Sequence, residues 1–223
     1  QGGAAFLLAR VSADLTREGA SPAALTLARL ARFADPDSSH VALVLAQTLN
    51  ASTLSREALA AVNSVEAPYD AFTRELRIAA LEQAGAIDEA LALATAHARE
   101  PGATLFDHAR LGEVLSRLKR HDDAARAYQA AIAVAGAGGA PWNLWLLYGG
   151  ALDQAGQWPA ARAALHKAVE LAPEEPSALN HLGYAMLERG DDPVEATRHI
   201  AKANMLKPDD PAITDSLGWA FIL

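Results

Sequence analysis

Cysteine is absent from this 223-residue chain. Its absence excludes disulfides, thiolate nucleophiles and cysteine-based zinc sites. It leaves the compartment open, because a cysteine-free chain suits reducing and oxidising surroundings alike. Lysine is scarce as well, at Lys119, Lys167, Lys202 and Lys207 only, too few for a polybasic patch on anionic lipid. Lys and Arg together number 19 against 27 Asp and Glu. A cut after Leu111 leaves 9 basic and 13 acidic residues before it and 10 and 14 after it, so each half carries net −4. No nucleic-acid partner is expected, since binding phosphates needs concentrated Lys and Arg. The opening Gln1-Gly-Gly-Ala-Ala lacks the basic start and cleavage site of a secretory leader; a leader already removed, or left behind in a longer precursor, fits it equally.

One long uncharged run needs an account. The 26 residues between Arg126 and Asp153 exceed the roughly 20 that cross a bilayer. Ala135-Gly-Ala-Gly-Gly-Ala-Pro141 interrupts the run, and Gln129 and Asn143 lie within it. Such a break would leave backbone groups unpaired in lipid. The expectation is two buried helices joined by a flexible loop, with no membrane-spanning segment.

Catalytic signatures are missing too. The seven histidines, His40, His97, His108, His121, His166, His181 and His199, are scattered. They form no His-Glu-x-x-His, and no Gly-x-Ser-x-Gly occurs. Gly136-Ala-Gly-Gly139 follows a helical segment and leads into Pro and Trp, whereas phosphate loops follow strands and precede a Lys; it reads as a linker. The carboxylate pairs Asp122-Asp123, Asp191-Asp192, Glu174-Glu175 and Asp209-Asp210 precede helical segments, where they cap helices and favour the positive end of the dipole. No catalytic residue, metal or cofactor is expected, and the chain is read as no enzyme.

What the sequence does have is a repeat. From Trp142 to Glu175 it runs W-N-L-W-L-L-Y-G-G-A-L, then D-Q-A-G-Q-W-P, then A-A-R-A-A-L-H-K-A-V-E-L-A-P-E-E. Counting Trp142 as position 1 places Trp145 at 4, Gly149 at 8, Leu152 at 11, Ala161 at 20, Ala168 at 27 and Pro173 at 32. The frame recurs with starts at 5, 39, 71, 105, 142 and 176 and a partial seventh copy from 211, and residues 1–4 form an N-terminal extension. Small residues at 8, 20 and 27 let two antiparallel helices approach closely. Large apolar residues at 4, 7, 11 and 24 fill the space between them, which puts Trp145 in the core, and Trp158 packs in a turn. Gly85, Gly156 and Gly190 fall where the first helix turns, and Pro36, Pro173 and Pro208 follow the second. One such unit cannot bury its own faces, so units must stack.

This pattern resembles the tetratricopeptide repeat, whose 34-residue frame prefers Trp, Gly, Tyr, Ala, Phe, Ala and Pro near those places. The resemblance covers residues 5–223 and is strongest from 142 onward. It implies an all-α fold, a single right-handed superhelical solenoid of stacked antiparallel helix pairs. L-N-H-L-G-Y-A-M-L-E-R-G from 179 and D-P-A-I-T-D-S-L-G-W-A from 210 are similar to repeats of Gram-negative bacterial scaffold proteins. Cytoplasm and periplasm both remain open as the compartment. The seventh copy holds a first helix only, ending on Trp219, Phe221, Ile222 and Leu223, so a longer protein is expected; a lone capping helix is the alternative.

The resemblance also implies a function: a non-catalytic protein-protein interaction scaffold that binds a protein segment or peptide in its concave groove. In the family, positions 2, 5, 6, 9, 12 and 13 of each first helix line the inner surface. Positions 5, 6 and 9 carry Leu43, Val44 and Gln47 in the second copy and Leu146, Leu147 and Gly150 in the fifth. Partner-binding candidates are Arg110, Asn180, His181, Tyr184, Asp215 and Trp219. The Lys at position 5 and Asn at position 9 with which chaperone-binding members clamp a terminal carboxylate occur in no copy. Two alternatives stand beside the scaffold: self-association through the C-terminal helix, and a substrate-presenting region of a larger enzyme or envelope protein.

Overall fold

The computed structural model describes residues 2–19, 21–65, 71–136 and 138–222. Among the described residues there are thirteen α-helices and no strand. The frame positions explain why. At position 20, Ala24, Ala58, Ala90, Ala124, Ala161 and Ala196 are all fully buried; position 24, with Ala28, Val62, Ala94, Tyr128, Leu165 and Ile200, is buried throughout as well. Position 11 is filled by the buried Leu49, Leu81, Leu115, Leu152 and Met186. Alternating small and large residues at fixed spacing is what close antiparallel helix packing requires.

The chain divides into two compact units, Gln1–His97 and Ala98–Leu223. The first contains α1 (Gly2–Glu18), α2 (Pro22–Ala34), α3 (Ser39–Ala51), α4 (Ser55–Asn63) and α5 (Ala71–Gln83), and α6 (Ile87–Ala98) runs to its boundary. Helix α1 takes in Gly2, Gly3 and Ala4 ahead of the frame's first start. A core of Ala5, Ala9, Ala31, Val41 and Val44 joins α1, α2 and α3; a second, of Ala46, Val62 and Leu76, joins α3, α4 and α5. Position 8 of α1 is Ser12 rather than Gly or Ala. Its hydroxyl is buried yet satisfied, donating to the Ala24 carbonyl at 2.7 Å and lying 3.3 Å from Thr48 Oγ1. Thr16 adds a 3.0 Å contact to Thr48, so three hydroxyls tie α1 to α3.

The second unit holds α7 (Leu105–Arg117), α8 (His121–Ala135), α9 (Trp142–Gln154), α10 (Trp158–Leu171), α11 (Pro176–Glu188), α12 (Pro193–Leu206) and α13 (Pro211–Ala220). In each pair the glycine at position 8 of the first helix meets the side chain at position 24 of the second. A Cβ on Gly112 would lie 2.6 Å from the Tyr128 ring, and one on Gly149 would lie 2.7 Å from Leu165. Only glycine permits that approach. A core of Leu165, Leu182, Ala185, Met186, Leu187, Ala196 and Ile200 joins α10, α11 and α12, with Trp158, Leu217 and Trp219 packed on it. Trp158 thus packs as its turn position implies. Trp145 is only half-buried; its neighbour Leu144 takes the deep site, at 3% exposure. The Trp145 indole nitrogen is nonetheless buried, so the ring is partly enclosed rather than free in solvent.

Chain breaks follow local chemistry. Gly85, Gly156 and Gly190 close the inter-helix turns at φ of 79°, 75° and 66°, a region glycine enters freely. The equivalent turns in two other copies use Thr53 and Lys119 at 61° and 58°. Asp192, Glu175 and Asp210 cap α12, α11 and α13 through their carboxylates. Asp122 and Asp123 lie in the first turn of α8 instead, where Asp123 pairs with Arg120 and Arg126 and its carboxyl is held below the usual range, first by the hydrogen bond from Arg120. The Gly-rich linker lies between α8 and α9, with Ala137 outside the described residues. It divides the uncharged run into two helices. Among the described residues no helix is long and apolar enough to cross a membrane.

Candidate functional site

Helices α11 and α13 are the first helices of successive copies, and both begin with Pro at the first helical turn behind an acidic cap. Their matching registers put position 5 and position 9 of each side by side on one surface. The hollow between them measures about 480 Å³ and is lined by Asn180, Tyr184, Ala212, Asp215, Ser216 and Trp219. A second hollow of about 350 Å³ shares Asn180 and Ala212 and extends toward Glu175, Ser177, His181, Lys207 and Asp210. The two together form a strip, aromatic at one end and charged at the other.

Tyr184 and Trp219 lie with ring centroids 5.1 Å apart and planes inclined by 47°. Tyr184 is 39% exposed, and its hydroxyl donates to Glu188 Oε1 at 3.0 Å. That bond to a carboxylate, ahead of the small effect of burial, raises the phenol's pKa. Trp219 is half-buried, its inner face on the core below. The pair offers a firm aromatic surface with few rotors left to freeze on binding.

Asn180 is the one side chain shared by both hollows whose polar atom lacks a partner: its Oδ1 is buried without a hydrogen bond. A buried acceptor left open carries a desolvation cost of about 1–3 kcal/mol until a donor arrives. Asn presents both a carbonyl and an NH₂, the two complements of a peptide group. Asp215 is exposed on the rim and adds negative charge. His181 shows an accessible edge while its ring nitrogen lies against Gly150 of α9, 3.4 Å from where a Cβ would sit. Desolvation lowers its pKa, against the raising pull of Asp153 and Glu188. Arg110 stands elsewhere, on α7. It is buried at 8% exposure and paired with Glu113 at 2.8 Å. Its guanidinium is engaged by Glu113, whose own side chain is 39% exposed, and it does not present an open cationic contact.

Five of the six candidate residues thus converge on one strip, and Arg110 does not join them. Lys207, Glu188 and Ser216, which the frame positions alone did not single out, belong to the strip or support it. Glu188 was discoverable, being one helical turn beyond Tyr184. The apolar positions of the earlier copies serve packing. Leu43 leans on the Ala46 core, Leu146 on the Leu182 core, and Val44 is buried at 6% exposure; Leu147 stays 38% exposed.

The model of the tetratricopeptide repeat matches residues 142–185. A TPR repeat-containing protein of Pseudomonas aeruginosa is 51% identical over 47 residues, which is 21% of this chain. The match spans only 8% of that relative's length. Among solved structures, a tetratricopeptide repeat protein from Parabacteroides merdae superposes with a TM-score of 0.71 at 15% identity, covering 97% of this chain and 84% of its own. YrrB, described as a TPR protein with an unusual peptide-binding site, superposes at 0.59 and 16% identity over 85% of this chain and 96% of its own. Identities this low speak for the fold alone.

Proposed function

We propose that the chain is a tetratricopeptide-repeat scaffold for protein-protein interaction, and that the strip between α11 and α13 holds an extended segment of a partner protein. The observation that carries this reading is the buried, unpaired Oδ1 of Asn180 at the junction of both hollows. A backbone N–H of the segment satisfies it. An apolar or aromatic side chain rests on Tyr184 and Trp219, where burial of large flat groups gives most of the affinity. Toward the other end, Lys207 and Asp210 already neutralise one another at 2.8 Å, so that end selects polar rather than strongly charged residues. Asp215 on the rim favours a basic residue beside the aromatic anchor.

Selection of displayed peptides on the immobilised chain tests this, with Tyr184→Ala and Asn180→Ala as counter-targets. Tyr184 is exposed enough that its truncation spares the core. Peptides that bind the parent and lose at least tenfold in affinity on either variant support the proposal. Peptides that bind all three proteins equally refute it.

A second reading rests on Phe221 and Ile222, exposed at 76% and 82% directly after α13. Two copies of the chain meeting there would cover both. Sedimentation supports this if dimers form at micromolar concentration and vanish in Phe221→Ser, Ile222→Ser; a monomer throughout removes it.

A further inference from the structure

On the face formed by the second helices α10 and α12 lies a cluster that the binding strip does not use. His166 comes from α10, and Glu195 and His199 come from α12, one turn apart. His166 Nε2 stands 3.9 Å and His199 Nε2 3.7 Å from the same carboxylate oxygen, Glu195 Oε1. The donor atoms of all three residues lie within 4.8 Å of one another. Among the described residues no other group of three His, Cys, Asp or Glu meets in this way. We propose that His166, Glu195 and His199 form a binding site for a divalent first-row transition ion of the zinc class, which ties the second helices of two successive repeats together.

The chemistry of the donors selects the ion. Two imidazole nitrogens and one carboxylate oxygen, with no thiolate anywhere in the chain, suit zinc, nickel or copper rather than magnesium or calcium. Tetrahedral zinc holds such donors at about 2.0–2.1 Å, hence roughly 3.4 Å apart. The two imidazole–carboxylate spacings exceed that by about half an ångström or less, and the remaining pair, within 4.8 Å, closes by rotation of the histidine side chains. The other oxygen of the carboxylate is already fixed: Arg162 Nη2 donates to Glu195 Oε2 at 3.2 Å, leaving Oε1 to face the histidines. Outer partners of this kind orient metal-binding carboxylates. The guanidinium is also a like charge close to the ion. Asp191, 3.1 Å from Arg162 Nε, offsets it. The histidine rings meet edge to face with centroids 6.1 Å apart, so neither blocks the space between them. Side-chain exposures of 38%, 28% and 19% for His166, Glu195 and His199 leave an entry path and room for a water in the fourth position. Since His166 and His199 lie about one repeat apart in sequence, no spacing motif announces them.

The test is titration of the tag-free chain with ZnCl₂ followed by heat, and with Co²⁺ followed by visible absorption. The expected result is one equivalent of ion bound, a raised thermal midpoint with zinc, and intense tetrahedral Co²⁺ bands. His166→Gln and His199→Ala each weaken binding at least tenfold and abolish the thermal shift, while His40→Ala and His121→Ala leave both unchanged. His166→Gln preserves bulk at a side chain already 38% exposed, so loss of binding there is read on a folded protein, checked by circular dichroism. The proposal is overturned if the parent binds the ion no more tightly than His166→Gln, or if a stoichiometric ion survives loss of both histidines.

Discussion

Gly183 and Gly218 occupy the same place in successive copies and face opposite circumstances. A Cβ on Gly183 would lie 2.7 Å from the Ala196 carbonyl oxygen and 2.7 Å from Ile200 Cγ1. Backbone cannot yield as a side chain can, so Gly183→Ala is expected to cost about 1–3 kcal/mol through overpacking. Around Gly218 nothing lies within 4 Å, and there the change to Ala is expected to stabilise by up to about 1 kcal/mol through helix propensity alone. Urea unfolding of the two variants measures both, and equal effects would deny that the second helix sets the need for glycine. His181 makes a further statement at this scale. Its folded pKa lies below the ordinary 6.5, chiefly through desolvation. The unfolded chain therefore takes up a proton that the folded chain resists, and stability falls as pH drops through and below that value. Unfolding at pH 7.5 and 5.5 is expected to show this loss, reduced in His181→Asn.

At the scale of helices, the link between α9 and α11 has an ionic latch beside its apolar core. Arg189, just past α11, places Nε 2.8 Å from Asp153 Oδ1 and Nη2 2.9 Å from the Asp153 carbonyl. The aspartate side chain is 5% exposed and the arginine 37%. Arg189→Met leaves a buried carboxylate with its cation gone. The expected cost is about 1–3 kcal/mol, below the range for fully buried pairs because the arginine half is wet. Chemical denaturation measures it, and an unchanged midpoint would mean that water replaces the cation without loss. The sequence hinted at none of this, since residues more than thirty apart carry no local signal. Helix starts were another matter. Ser39, Ala71, Leu105, Trp142, Pro176 and Pro211 begin helices where the repeat frame begins copies, because caps, prolines and small residues act within a few positions. Trp145, at a position the frame gives to a large apolar residue, is half-buried, while Leu144 beside it is buried more deeply. The convergence of Asn180, Tyr184, Asp215 and Trp219 was legible, because equal registers on adjacent first helices lie side by side on one surface. The buried pairing of Arg110 was not, since burial depends on the neighbouring helices as well as on the position.

For the whole molecule, the repeat frame runs through Ala98 with unaltered spacing, although the chain divides there into two compact units. We propose one array along the whole frame, and cooperativity decides the matter. A single transition seen alike by Trp fluorescence, which reports the second unit alone because all four tryptophans lie beyond Ala98, and by far-ultraviolet dichroism, which reports both, supports the array. Two separated transitions identify independent units. The central claim is that the strip between α11 and α13 is where a partner segment lies, and photochemical crosslinking tests it most directly. Tyr184 is replaced by benzoylphenylalanine in the source cell, with the same replacement at Phe33, 88% exposed in the first unit, as the comparison. The account predicts a discrete protein adduct from position 184, absent from position 33 and lost when Asn180→Ala is added. No adduct at 184 beyond that at 33 would contradict it.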